Sequence, residues 1–259
     1  METVPLVRME GMSKAFERVR ALEEVDLHVD RREILGLVGD NGAGKSTLIK
    51  ILSGVHPADK GEIYFEGKRV HIADPMQARE LGIETIYQDL ALVDDLKIYR
   101  NIFLAREFKK RYLGIVRLLD EGKMKSEAEG VLKRLGIEIA STDDTVRTLS
   151  GGQKQCVALA RSVYFDAKLL VMDEPTAALG VAESTLVLDM MRSLKEHGKS
   201  VIVITHNLAH IFSVCDRIMV LQHGRKVGER YTRDTSVDEI TDMIIGRGQY
   251  VSNSPKSAA

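Results

Sequence analysis

The stretch Gly39-Asp40-Asn41-Gly42-Ala43-Gly44-Lys45-Ser46 has the residue types and spacing of a phosphate-binding loop. Its glycines let successive backbone N–H groups converge on an anion, and the dipole of a following helix adds to the attraction. We expect Lys45 to reach the β- and γ-phosphates of a nucleoside triphosphate and the Ser46 hydroxyl to bind Mg²⁺. The predicted nucleotide-binding residues of this loop are Gly39, Asn41, Gly42, Ala43, Gly44, Lys45, Ser46 and Thr47.

Two adjacent carboxylates, Asp173 and Glu174, follow the apolar run LLVM. Such a run indicates a buried strand, and a parallel sheet presents its ligand-binding groups at the carboxyl ends of its strands. We expect Asp173 to hold Mg²⁺ and Glu174 to polarise an attacking water. The sequence contains no guanine-reading N-K-x-D motif, so the expected nucleotide is ATP.

Two further polar residues close strand-like runs. His206 follows VIVIT, and Gln88 follows GIETIY. If these strands join the same parallel sheet, both side chains lie at the edge that carries Lys45 and Asp173. We expect His206 to contact the γ-phosphate, and the neutral Gln88 amide to bind Mg²⁺ or water at a hinge.

A second glycine-rich stretch, TLSGGQKQ, precedes the helical pattern QCVALARSVY. Its residues Ser150, Gly151, Gly152 and Gln153 therefore lie at the start of a helix, where backbone N–H groups attract anions. One bound nucleotide does not need two phosphate-binding stretches. The function of the second stretch is therefore not explained by the first loop.

The elements that must position these residues alternate between apolar strands and helices, which indicates a parallel sheet covered on both faces. An early strand pair and a hairpin at GEIYFEGKRV add antiparallel structure, while residues 89–165 show a mostly helical pattern without a convincing strand. The predicted fold is α/β, with an N-terminal antiparallel β subdomain and an inserted helical subdomain, and with the phosphate-binding loop its core resembles that of P-loop NTPases (RecA-like). The predicted parts are a first core segment with the β subdomain (1–88), the helical subdomain with the second loop (89–165), a second core segment (166–246) and a disordered tail (247–259).

Composition narrows the classes of function. The chain has 259 residues, of which 44% are hydrophobic and 29% charged, as in ordinary globular proteins. A net charge of −1 gives no basic surface for nucleic acid, so no nucleic-acid partner is expected. The two cysteines have no metal-ligand spacing, and neither a signal peptide nor an apolar run of about 20 residues is visible. Any membrane association is therefore expected to come through a partner.

These motifs together resemble those of the ATP-binding-cassette (ABC) ATPases. The phosphate-binding loop, Gln88, LSGGQ at 149–153, Asp173-Glu174 and His206 occur in that family's order over nearly the whole chain. The resemblance implies that two cassettes pack head to tail and that the LSGGQ signature of one caps the γ-phosphate bound by the other. It also implies that Phe16 stacks on adenine. One position departs from the family: Gly180 stands where an aspartate commonly ends the turn after Glu174.

Within this family, the segment DNGAGKSTLIKILSGVHPADKGEI most resembles the sequences of ATPases that power the import of monosaccharides such as ribose, xylose or fructose. The resemblance implies a homodimer of ATPase subunits on the cytoplasmic face of the membrane, with permease subunits and an extracellular or periplasmic solute-binding protein as partners. The alternative is a soluble ABC ATPase of DNA repair or chromosome organisation. That class typically carries a long coiled-coil or zinc-bearing insertion, whereas residues 89–148 contain neither a heptad run nor a cysteine.

Overall fold

Strands and helices alternate along most of the chain. The computed structural model describes residues 4–112, 116–177 and 179–247, so most of the predicted disordered tail lies outside the described residues. The strands are β1 (Val7–Phe16), β2 (Val19–Val29), β3 (Ile34–Val38), β4 (Lys60–Phe65), β5 (Lys68–Val70), β6 (Ile83–Ile86), β7 (Lys109–Tyr112), β8 (Val116–Leu119), β9 (Leu169–Asp173), β10 (Ser200–Ile204), β11 (Arg217–Gln222) and β12 (Arg225–Tyr231). The helices are α1 (Lys45–Leu52), α2 (Pro75–Leu81), α3 (Ile98–Ile102), α4 (Glu121–Arg134), α5 (Gly151–Tyr164), α6 (Val181–Glu196), α7 (Leu208–Val214) and α8 (Val237–Ile245).

A six-stranded sheet forms the centre of the molecule, with the strand order β12-β11-β3-β10-β9-β6. The five strands from β11 to β6 are parallel, and only β12 runs antiparallel, at one edge. Every residue of β3 and β10 is buried, which explains their continuous apolar sequences. The predicted parallel α/β core is confirmed.

A second sheet, antiparallel and four-stranded, has the order β2-β1-β4-β5. Strand β1 pairs with both β2 and β4, as expected for the N-terminal β subdomain. The β4–β5 hairpin turns at Glu66 and Gly67, whose φ angles of 51° and 77° are the positive pair that a tight hairpin turn favours. The N-terminal β subdomain and its hairpin therefore match the sequence prediction.

Two hydrophobic clusters cover the two faces of the central sheet. Alternate side chains of β3 divide between them: Ile34 and Val38 pack with the insert helices, whereas Leu35 and Leu37 pack with the antiparallel sheet. Helix α1 joins the second cluster through Leu48 and other apolar residues. The loop before α1 is therefore held between the two sheets.

The insert is not purely helical, which corrects the expectation for residues 89–165. Helices α3, α4 and α5 pack together, but β7 and β8 form an antiparallel hairpin within the insert. Its described side chains, at 109–111 and 117–119, are exposed. Because neither face of this hairpin joins the core, its strands lack the alternation of apolar and polar residues by which a half-buried strand is recognised.

Among the described residues, no helix combines the length and the apolar character needed to cross a membrane.

Candidate active site

The predicted catalytic residues follow strands that end at one edge of the central sheet. Ile204 of β10 lies opposite Asp173 of β9 and opposite Leu37 of β3, and Ile86 of β6 lies opposite Met172 of β9. Gly39, Gln88, Glu174 and His206 each come one or two residues beyond these strand ends. The parallel arrangement therefore brings four separate motifs to one edge, where doubly wound sheets bind ligands.

The phosphate-binding loop requires glycine at two points. Gly39 has a φ of 151°, and a Cβ there would lie 2.2 Å from the Leu221 carbonyl oxygen. Gly44 has a φ of 104°, and its Cβ would lie 2.6 Å from the carbonyl oxygen of Ala21. Only glycine fits these conformations and close approaches, so the loop is fixed between β11 and the β1–β2 hairpin.

Helix α1 begins directly after this loop, at Lys45. No side chain among the described residues caps its N-terminus, so its first-turn N–H groups remain available to an anion. Ser46 is exposed in that first turn, and Thr47 is partly buried. The loop and the helix start can therefore hold a phosphate chain.

Lys45 folds over the loop. Its ammonium donates hydrogen bonds to the carbonyl oxygens of Gly39 and Asp40, at 2.8 Å and 2.9 Å. Burial lowers the pKa of Lys45, while the charges of Glu174, Asp173 and Asp40 act in the opposite direction. A half-buried cation that faces carboxylates and loop carbonyls is suited to a polyanionic ligand.

Asp173 ends β9 as a half-buried carboxylate. Burial, followed by the neighbouring charge of Glu174, raises its pKa, and the charge of Lys45 lowers it. No group of three or more His, Cys, Asp or Glu side chains in the described residues is arranged to hold a metal ion. The predicted oxygen donors are the Asp173 carboxylate, the Ser46 hydroxyl and the Gln88 amide. A set with a single carboxylate fits Mg²⁺, which is commonly held by one or two carboxylates together with substrate phosphates.

Glu174 and His206 form a fixed pair. The Glu174 N–H donates to the Ile204 carbonyl at 2.8 Å, and the residue adopts a φ of 49°. Its Oε1 accepts a hydrogen bond from the His206 N–H at 3.2 Å and lies 2.9 Å from His206 Nδ1. Oε2 is buried and has no hydrogen-bond partner among the described residues. The carboxylate is therefore anchored through Oε1, and Oε2 makes no competing hydrogen bond there.

Gln88 is exposed two residues beyond β6, and its amide contacts none of the described site residues. Its neighbour Tyr87 is tethered to α1's C-cap, because the Tyr87 and Ser53 hydroxyls are 3.1 Å apart. A groove of about 210 Å³ opens beside Gln88. Tyr87, Leu90, Arg106, Arg161 and Phe165 are among the residues that line this groove.

Phe16 lies at the end of β1 and is 40% exposed. It pairs with Val19 across the hairpin whose Ala21 carbonyl lies against Gly44. The His56 ring meets the Phe16 ring edge-on, with centroids 5.3 Å apart. An exposed aromatic ring next to the phosphate loop is available to stack on a base.

The signature residues begin α5. The Ser150 hydroxyl accepts from the Gln153 N–H at 3.3 Å, and the Gln153 side chain accepts from the Ser150 N–H at 3.1 Å. This reciprocal pair is a capping box, which holds the helix start in place. The contacts described for Ser150–Gln153 run to each other, to Leu179 and to α6, and none runs to Lys45, Asp173 or Glu174.

Two residues that the sequence prediction missed also belong to this region. His56 supports Phe16 by the edge-on contact, and Glu183 of α6 contacts the signature loop. The spacing from Gly180 to Glu183 is that of a capping box and could have indicated a helix start. Nothing in the sequence indicates the contact of His56 with Phe16 or that of Glu183 with Gly152, because both depend on tertiary packing.

Residues 22–177 match the family model described as ABC transporter. The chain is 48% identical to the xylose/arabinose import ATP-binding protein XylG of Sulfolobus acidocaldarius, over 92% of this chain and 93% of that one. It is 42% identical to the fructose import ATP-binding protein FrcA of Rhizobium meliloti, over 95% and 96%. It is also 42% identical to the ribose import ATP-binding protein RbsA of Clostridium tetani, but spans only 48% of that relative's length.

Solved structures show the same fold. The ADP conformation of the ATP-binding cassette MJ1267 superposes with a TM-score of 0.79 at 25% identity, over 94% of this chain and 96% of that one. The ATP-binding cassette MJ0796, in a dimeric post-hydrolysis state bound to ADP and phosphate, gives a TM-score of 0.72 at 25% identity, over 88% of this chain and all of that one. The predicted P-loop NTPase fold is therefore confirmed.

Proposed function

Since the chain belongs to the ABC transporter family and is an ATPase of that family, we propose that it powers the import of a monosaccharide through a membrane permease. The observation that carries the hydrolytic part of the proposal is the Glu174–His206 pair, held at the sheet edge that also carries the phosphate loop and Asp173. A module that only bound nucleotide would not need a carboxylate anchored by a histidine beside that loop.

The residue roles follow from this geometry. Lys45 and the first-turn N–H groups of α1 hold the β- and γ-phosphates, and Phe16 stacks on the adenine. Ser46 and Asp173 would hold Mg²⁺, with Gln88 at the hinge beside them; the ion neutralises charge on the phosphates when bound. Their exposed and half-buried oxygens face the same edge as Lys45.

The hydrolytic step uses one water molecule. Its oxygen forms a bond to the γ-phosphorus while the bond from that phosphorus to the ADP oxygen breaks. The Glu174 carboxylate takes the proton that the water loses, and His206 anchors this carboxylate. His206, whose side chain is 82% exposed, reaches outward to contact the γ-phosphate.

The second glycine-rich loop completes the site of another copy. Its described contacts stay within its own helix, Leu179 and α6, so it does not close over Lys45 of the same chain. MJ0796, a cassette of the same fold, forms a dimer. We therefore assign each nucleotide to Lys45 of one copy and to Ser150, Gly151, Gly152 and Gln153 of the other, in a homodimer.

The cargo and the partners are assigned from the relatives. Three relatives with identities of 42–48% are named as import ATP-binding proteins for xylose/arabinose, fructose or ribose. We accordingly assign this chain to the cytoplasmic face of the membrane, where it binds permease subunits. A solute-binding protein delivers the sugar to those subunits. The groove beside Gln88 lies next to the nucleotide edge and is a suitable seat for the permease.

A DNA-repair or chromosome-organising ATPase is the weaker alternative. The described insert helices α4 and α5 have 14 residues each, which is too short for the long coiled coil of that class. The net charge of −1 also provides no general attraction for nucleic acid.

Transport in proteoliposomes tests this proposal. The chain would be co-expressed with a candidate sugar permease, and the complex reconstituted with the solute-binding protein of that permease. We expect ATP-dependent uptake of at least one labelled sugar among xylose, arabinose, ribose and fructose, and none with Glu174→Gln. Absence of sugar uptake by an assembled complex that hydrolyses ATP would contradict the assigned cargo, and co-purification with nucleic acid instead of a permease would favour the alternative.

A further inference from the structure

The carboxylate of Glu183 joins two loops of one chain. Its Oε2 accepts a hydrogen bond from the Gly180 N–H at 3.2 Å, at the N-terminus of α6. Its Oε1 accepts from the Gly152 N–H at 3.4 Å, in the first turn of α5. Each carboxylate oxygen thus holds a different helix start, and Gly152 lies 31 residues before Glu183 in sequence.

A helix cap alone does not explain this arrangement. Capping α6 requires only the bond from Glu183 back to Gly180, which is one half of a capping box. The second oxygen instead reaches the signature, where it accepts from the Gly152 N–H. The nearby Ser150 hydroxyl, followed by the Gly180 and Gly152 N–H groups, lowers the pKa of Glu183, so the carboxylate is ionised at neutral pH.

Packing at the same point is close. A Cβ on Gly152 would lie 3.0 Å from the Glu183 Cβ, and a Cβ on Gly151 would lie 2.8 Å from Leu179 Cδ2. The signature glycines therefore allow the Gly180 loop and α6 to press directly against the start of α5. A displacement of either loop must displace the other.

We propose that Glu183 is a positioning residue that locks the signature loop to the Gly180 loop, so that Ser150–Gly152 meet the nucleotide held by the second copy in the correct orientation. This inference rests on the proposed function, in which the signature acts on the partner's nucleotide. Gly180 has no side chain with which to anchor its own loop, and Glu183 supplies that anchor from three residues further along the chain.

Glu183→Gln is the informative change, because glutamine keeps the size of the side chain but has only one acceptor oxygen. One of the two loops then faces an amide N–H₂ group instead of an acceptor. Losing a hydrogen bond to a charged group corresponds to a change of about tenfold or more in an equilibrium constant. Glu196→Gln, at the exposed end of the same helix, is the matched control.

Dimerisation without turnover gives the first readout. In a Glu174→Gln background with MgATP, we expect Glu183→Gln to weaken the dimer about tenfold by analytical ultracentrifugation, while Glu196→Gln leaves it unchanged. The affinity of the monomer for a fluorescent ATP analogue should not change, since Lys45 and its loop are untouched. A dimer as tight as that of the control variant would overturn the proposal, and so would a parallel loss of monomer affinity, which would indicate a general structural defect.

Linked dimers give the second readout and separate this inference from the proposed function. Lys45→Ala and Glu183→Gln are placed either in opposite halves or in the same half. If Glu183 positions the signature for the partner, the dimer with the changes in opposite halves keeps one unaltered site. It then hydrolyses ATP faster than the dimer with both changes in the same half. Equal rates would overturn the role of Glu183. The same pair with Gly152→Asp replacing Glu183→Gln tests the trans arrangement itself, so a failure there identifies the proposed function as the error.

Discussion

At the scale of single residues, the proposed chemistry depends on two adjacent carboxylates with different surroundings. Asp173 is half-buried, and its pKa is raised first by burial and then by the charge of Glu174. Glu174 has one oxygen bound to His206 and the other buried without a partner among the described residues. The first environment suits a cation ligand and the second suits a proton acceptor, which is why we assign them different roles.

Glu174→Gln tests the assignment of the proton acceptor. The amide has the same size but cannot take the proton of the attacking water, so we expect the rate of ATP hydrolysis to fall by roughly 10²–10⁴-fold. ATP affinity should be kept, and ATP-bound dimers should accumulate on a sizing column. Turnover near the wild-type rate would show that another group accepts the proton.

Asp173→Asn tests whether the buried charge of Asp173 destabilises the folded protein. Because the folded state raises the pKa of Asp173, the stability linked to this group is present at low pH and is lost as pH rises through that folded pKa. A permanently neutral asparagine avoids this loss. Without nucleotide or metal, we expect a higher melting temperature than wild type at neutral pH, by about 2–4 °C for each 1 kcal/mol relieved, with no difference once acid protonates Asp173.

The control for this measurement is Glu196→Gln, an exposed carboxylate neutralised at the far end of α6. MgATP should stabilise wild type much more than Asp173→Asn, since the variant has lost a cation ligand. If Asp173→Asn were less stable than wild type without ligand at neutral pH, the attraction between Asp173 and Lys45 would outweigh the effect of burial.

At the scale of elements, the two ends of the central sheet have separate tasks. The carboxyl ends of the strands carry the site, while the opposite end is held by a buried ion cluster around Arg217, the first residue of β11. Its guanidinium binds both oxygens of Glu33, at 2.7 Å and 3.0 Å, and also pairs with Glu229 of β12. A further bond reaches the His28 carbonyl of β2, so four strand regions meet here.

Arg217→Ala should therefore damage stability but not chemistry. Removing one partner of a buried ion pair leaves uncompensated charge, so we expect the free energy of unfolding to fall by about 3–5 kcal/mol in chemical denaturation. Arg225→Ala is the control: its side chain is 60% exposed and pairs with Glu23, and such a pair contributes at most about 1 kcal/mol. ATP turnover per folded molecule should be unchanged in both variants, and equal stability losses would contradict the role given to the cluster.

The elements also show what the sequence could predict. Strands β3, β9 and β10 are continuous apolar runs because both faces of the sheet are covered, and the polar residues that follow them could be assigned to one edge. The β7–β8 hairpin and β12 were not predicted, because exposed or edge strands such as RKVGERY show no clear alternation of apolar and polar residues. The contacts of Glu183 with Gly152 and of His56 with Phe16 were not predicted for another reason. They join residues that are distant in sequence and follow only from packing.

At the scale of the whole molecule, the proposed arrangement gives each copy one half of each of two sites. The edge around Lys45 has the groups to which we assign binding and hydrolysis, whereas the described contacts of the signature loop run to Leu179 and α6. Two copies related by a two-fold axis would pair each signature with the other copy's phosphate loop, as a self-complementary interface requires. The central claim is therefore that the hydrolytic site is shared between copies.

A comparison of two linked dimers tests this claim most directly. One carries Lys45→Ala in one half and Gly152→Asp in the other, and the second carries both changes in the same half. Lys45→Ala removes the phosphate-binding cation, and Gly152→Asp places a carboxylate against the γ-phosphate and beside Glu183. If sites are shared, the first dimer keeps one intact site and hydrolyses ATP, whereas both sites of the second are broken. Hydrolysis by the second dimer and not by the first would contradict the account, because the signature would then serve its own chain.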